Sequence, residues 1–197
     1  MMKPRLSLLI VAAALPLAGC ISFSPKPPPR LMALSATTPL PAGTTLTTDD
    51  KRAVAVAAPS AIPALGTQRV LVTDGATEIA YLKGGLWSAA PAQLFRSLLA
   101  ETITVKTGRV VPDPRLLTSK PNTRLSGQLS AFGIDGPGFM AVVTFDAALT
   151  RNGSEMLESR RFTARVPITN ETPAVVAAAV NQAANQVAGD VADWIGK

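Results

Sequence analysis

The 197-residue sequence contains no histidine and a single cysteine. Without histidine, no Ser-His-Asp or Cys-His arrangement, imidazole base or His-ligated metal can be built. A lone cysteine has no partner for a disulfide within the chain. Aromatic residues are scarce, nine in all, and charged residues make up 16%. No dense run of lysine or arginine occurs, so a nucleic-acid surface is poorly supported. A P-loop, a dinucleotide fingerprint and a Gly-x-Ser-x-Gly elbow are all missing, and no motif places a Ser-Lys dyad. Thirteen carboxylates are scattered, apart from Asp49-Asp50 in a polar stretch. Asp190 and Asp193, three apart near the C-terminus, are too few for a metal cage. The chain reads as non-catalytic, with no cofactor-binding or metal-ligating residues.

What is present starts at the N-terminus. Lys3 and Arg5 precede an apolar run from Leu6 to Leu17. The run is shorter than the ~20 residues a spanning helix needs, and it has the plan of a secretory signal peptide. It ends in Leu17-Ala18-Gly19-Cys20, which resembles a bacterial lipobox. That resemblance implies cleavage before Cys20 and a covalent lipid on its thiol and α-amine, incorporating palmitate. The competing reading is a plain signal with an incidental cysteine. Two or more acyl chains hold a protein on a membrane where one does not. Ile21 rather than aspartate follows the cysteine. By analogy with enterobacterial lipoproteins, this sorts the anchor to the inner leaflet of the outer membrane, facing the periplasm.

The expected organisation is a signal peptide at 1–19, an acylated Cys20 with a proline-rich tether at 20–29, and one domain at 30–197. Four prolines within residues 21–29 favour extended backbone at ~3.1 Å per residue. Without residues 1–19 the chain keeps 17 basic against 13 acidic residues, a mild basic bias.

Within the domain, Arg30–Leu34 and Arg52–Ala57 read as strands, separated by a polar loop over 37–50. Ile62–Gly66 reads as a loop. Strands at Arg69–Thr73 and Thr77–Leu82 flank Asp74-Gly75, a strong hairpin signal, and Gly84-Gly85 is expected to break the second. Ser88 is the expected N-cap of a helix carrying Leu94, Phe95, Leu98, Leu99 and Ile103 on one face, with Pro91 in its first turn and Gly108 ending it. Three alternating segments follow the proline-rich loop at 111–121: Thr123–Phe132, Phe139–Thr150 and Glu155–Pro167. Ala141, Val143, Phe145, Ala147 and Leu149 should share one face, and Asn152-Gly153 is a second hairpin signal. Gly133–Gly138 reads as an inter-strand loop, with a phosphate cradle as the minor alternative. A last helix opens at Thr172-Pro173, with Val176, Val180, Ala183, Val187, Val191 and Trp194 as its stripe. Its other face carries Asn181, Gln182, Asn185, Gln186 and Asp190, where a membrane-surface helix would want lysine or arginine, so core packing is the reading. The fold class is α+β: a largely antiparallel mixed sheet against two amphipathic helices.

Several of these segments, in order, resemble the ABC-type transport auxiliary lipoprotein family, the PqiC-like lipoprotein components of mammalian-cell-entry (MCE) transport systems. They are Ile62–Val70, Thr77–Leu82, Leu86–Leu94, Leu98–Glu101, Gly108–Val111 and Thr172–Val176, behind a lipobox. The resemblance implies a periplasm-facing lipoprotein beside an MCE-family substrate-binding protein and an ABC permease and ATPase, in a system moving phospholipid or other lipid between two membranes. Homo-oligomerisation is left open. Trp87, just past Gly84-Gly85, is the candidate partner contact, against the stronger alternative of a tryptophan capping the sheet's hydrophobic edge. Two other functions are weighed: a shuttle enclosing an acyl chain, and a purely structural envelope lipoprotein.

Overall fold

The computed structural model describes residues 30–115, 120–151 and 156–196. The expected lipobox, tether and Asn152-Gly153 turn lie outside the described residues. Nine main elements follow one another: β1 (Val54–Val56), β2 (Ser60–Ala61), β3 (Arg69–Asp74), β4 (Glu78–Leu86), α1 (Pro91–Thr107), β5 (Thr123–Asp135), β6 (Met140–Thr150), β7 (Leu157–Pro167) and α2 (Pro173–Ile195). Ile62–Gly66, expected as a loop, carries a short 3₁₀ turn at Pro63–Leu65.

One seven-stranded sheet runs in the order β4-β3-β5-β6-β7. β5, β6 and β7 form the expected antiparallel meander. The other side of β5 is shared by three short strands, all parallel to it: β1 against Thr123–Leu125, β2 against Gln128–Leu129, and β3 against Gly133–Asp135. The sheet is therefore mixed. Both helices cover one face, making a two-layer α+β domain.

The buried face of β6 consists of Ala141, Val143, Phe145, Ala147 and Leu149, the period-2 set expected of a half-buried strand. β5 keeps its own alternation in phase by a bulge between Leu129 and Ala131. The extra residue lets Phe132 and Ile134 face the core, as Leu125 and Leu129 do,. On α2, Val176, Val180, Ala183, Val187 and Val191 are buried, with Trp194 half-buried at the stripe's end. Its many alanines let α1 and the sheet approach closely. The opposite face of the sheet is polar, with Thr144 bonded to Thr163 at 3.1 Å and the pairs Asp146–Arg161 and Asp135–Arg165.

Several local expectations need correction. Arg30–Leu34 is not a strand, since only Met32 makes an isolated bridge, to Trp87. Gly84-Gly85 does not end β4. The β3–β4 register jumps from Arg69↔Leu86 to Leu71↔Tyr81, so β4 bulges through Lys83–Gly85, and Gly84 takes a φ of 74° there. A glycine adopts that conformation without a side-chain penalty, and the strand resumes at Leu86. Ser88 is not the helix cap. Its N–H donates to Met32 O at 2.8 Å and its carbonyl accepts from Gln68, which keeps the chain extended until Ala90. The cap is Ala90, in the extended region (ψ 140°) that a following Pro91 favours,. Thr172 does occupy the N-cap of α2, but its hydroxyl donates to Asn170 rather than to the helix.

Gly133, expected in a loop, sits within β5. A Cβ there would lie 2.1 Å from the carbonyl oxygen of Leu71. Only glycine lets β3 and β5 approach at this point.

Candidate functional site

Cys20, the expected lipidation site, lies outside the described residues. Trp87, expected as a partner contact, is 0% exposed, so it cannot anchor a partner from the surface. Its backbone is held on two sides, by Gln68 O at 2.7 Å and through the Met32 bridge. Its ring meets Phe132 edge-on at 5.3 Å, and the contacts continue through Phe95 to Phe145. The alternative reading, a tryptophan packed against the sheet, is the one found. Its indole N–H has no acceptor among the described residues.

The polar face of α2 has a role that helical spacing did not reveal. Residues 32–53 run as a strap along the helices. Asn181 accepts the N–H of Ser35, and Asn185 accepts that of Thr37 while donating to Ser35 O, all within 2.8–2.9 Å. Further on, Glu101 of α1 accepts the N–H of Leu40. An asparagine amide offers both donor and acceptor, so a pair one turn apart can replace the strand that the strap lacks. The asparagines at i and i+4 were the available signal.

The strap leads to a cleft at the C-terminal ends of both helices. α1 and α2 run in the same direction there, with Lys106 Nζ bonded to Gly189 O and 2.8 Å from the Asp193 carboxylate. The cleft measures about 480 Å³ and includes Lys51, Arg52, Arg109 and Arg151 in its walls. Arg151 closes α2 by donating to the carbonyls of Trp194 and Ile195, each at 2.7 Å, and pairs with Glu158 at 2.9 Å. Cations near a helix C-terminus are favoured by its dipole. Arg109 follows the left-handed Gly108 that ends α1. It donates through Nε to Arg52 O at 2.8 Å and through Nη2 to the Thr123 hydroxyl at 2.8 Å. Burial and the neighbouring Arg151 charge hold its pKa below the usual value. Asp49 turns the strap into β1, accepting from the Lys51 and Arg52 N–H groups. These bonds, first that of Arg52, hold its carboxyl below the usual range.

Other candidates are not assembled. Asp190 and Asp193 have no third ligand, since no three His, Cys, Asp or Glu side chains converge among the described residues. Gly136 and Gly138 form the tight turn between β5 and β6, where Gly136 N–H donates to Thr73 O, rather than a phosphate cradle. No helix among the described residues is long and apolar enough to cross a membrane.

Two of the solved structures that share this fold cover most of this chain. One is a Xanthomonas campestris protein of the DUF330 family, 22% identical, with a TM-score of 0.67 over 84% of this chain and 94% of that one. The other is an uncharacterised protein, 15% identical, with a TM-score of 0.65 over 85% of this chain and all of that one. No curated protein matches the chain. Residues 33–192 match the family described as the ABC-type transport auxiliary lipoprotein component. The match spans the strap, the whole sheet and nearly all of α2, and the chain belongs to that family.

Proposed function

We propose that the chain is a non-catalytic, lipid-anchored accessory subunit of an ABC/MCE-type system that moves phospholipid or related lipid between inner and outer membranes. The observation that carries this reading is the family match over 33–192 directly behind the Leu17–Cys20 lipobox. Cys20 carries the acyl chains, residues 20–29 act as tether, and the domain works on the periplasmic side of the outer membrane. Its partners are an MCE-family substrate-binding protein and the associated permease and ATPase. The layout of the domain fits such a subunit. Its buried core packs side chains from sheet and helices into one cluster. The described chain also begins beside Trp87, ahead of α1, whereas the cationic cleft lies at the far end of that helix. The separation is roughly 25 Å for 17 helical residues,.

The test compares lipid movement in cells carrying Cys20→Ala with that in cells lacking the gene. Radiolabelled phospholipid exchange between separated inner and outer membranes should fall equally in both, and palmitate should fail to label the variant. Full exchange supported by an unlabelled variant would sink the anchored role.

A further inference from the structure

The cationic cleft is not used by the reading above. Arg151 has every nitrogen engaged, with Glu158, Trp194 and Ile195. Arg52 approaches Asp49 only at 3.7 Å, with most of its side chain exposed. Lys51 has no ion pair among the described residues. Arg109 has no carboxylate partner among them either. Its protein acceptors are the carbonyls of Arg52 and Ala53 and the Thr123 hydroxyl, all reached through Nε and Nη2. A guanidinium carries five N–H donors, and both donors on Nη1 find no acceptor among the described residues. Among the described residues, four cations therefore line one opening and meet two carboxylate partners, Asp49 and Glu158. Capping α2 explains Arg151, but it accounts for neither Lys51 nor the unspent donors of Arg109.

We propose that this cleft binds a phosphate-bearing anion, with Arg109 giving directional hydrogen bonds and Lys51 and Arg52 closing over the charge. The geometry suits phosphate, because a planar fork fixes oxygens in place while a flexible ammonium on a neighbouring segment completes the shell. A volume of about 480 Å³ falls in the ~300–1,000 Å³ range of small-molecule sites, so an organic substituent on the phosphate fits as well. An anion there also offsets the burial and the Arg151 repulsion that disfavour the charge on Arg109. The inference rests on the cations alone and stands apart from the transport reading.

Calorimetry on the full chain in nonionic detergent tests it with two probes at matched ionic strength. One is inorganic phosphate, and the other is phosphatidylglycerol in mixed micelles. Saturable 1:1 binding of at least one probe is expected. It should weaken on the order of tenfold in Lys51→Glu and in Arg109→Gln, the size of one lost charge-assisted bond. Tighter binding of phosphatidylglycerol marks a lipid headgroup as the source, and tighter binding of inorganic phosphate marks a soluble one. Lys51→Glu decides alone if Arg109→Gln does not fold, because the Lys51 side chain makes no hydrogen bond or ion pair among the described residues. No saturable binding of either probe, or unchanged affinity in a folded variant, overturns the proposal.

Discussion

Truncating Trp87 would open a cavity at one end of the edge-to-face chain that runs through Phe132 and Phe95 to Phe145. Trp87→Ala should therefore lower stability by about 3–5 kcal/mol, read by denaturant unfolding. Trp87→Phe should cost less than about 1.5 kcal/mol, because it also removes an indole N–H that has no acceptor among the described residues,. Equal losses in the two variants would mean that the ring is not packed as described. Gly133→Ala should disrupt β3–β5 pairing, since the new Cβ would meet the Leu71 backbone at 2.1 Å. Amide exchange at Leu71–Thr73 should rise there without a matching rise in β6–β7. At the polar face of the sheet, Arg161 donates to Asp146 and holds its carboxyl below the usual range. A carboxyl depressed on folding contributes stability above the unfolded pKa of ~3.9 and loses it as pH falls through the folded value. Acid unfolding should thus begin below about pH 4, and Asp146→Asn should flatten that limb while costing about 0.5–1 kcal/mol at pH 7.

At the scale of elements, legibility followed the range of the forces involved. The α2 stripe, the β6 alternation and the Asp74-Gly75 hairpin depend on neighbours within a few residues, and all three appear in the structure. Features set by distant partners were not legible. Arg30–Leu34 has strand-like residues, but only Met32 finds a partner. Ser88 has the right chemistry for a cap, yet its backbone is committed to Met32 and Gln68. Gly84-Gly85 looked like a terminator because a bulge needs a register that only β3 supplies. The clamp of Asn181 and Asn185 on the strap was read as an ordinary polar face. Asn185→Ala removes its bonds to Thr37 N–H and Ser35 O. It should cost about 1–2 kcal/mol at ~0.5–1.5 per bond. Hydrogen exchange should show a faster amide at Thr37, whose acceptor is lost, while the α2 core stays protected. Unchanged protection in the strap would remove the clamp from the account.

For the whole molecule, the sheet buries one face under two parallel helices and leaves the start of the described chain and the cationic cleft at opposite ends. The family relationship was legible from ordered motifs, each of them short, and the match over 33–192 supports that reading. The cleft was not legible, because Lys51, Arg109 and Arg151 are far apart in sequence and meet only where the strap, α1 and β6 end together. The proposed function rests on an anchor and on partner proteins, and both can be tested together. The most direct measurement is affinity purification of the full-length, palmitate-labelled chain from native envelopes, with its co-purifying proteins identified by mass spectrometry. An MCE-family substrate-binding protein together with an ABC permease and ATPase, recovered in fixed proportion to the lipoprotein, is the predicted result. Recovery of the labelled lipoprotein with none of these components would contradict the account.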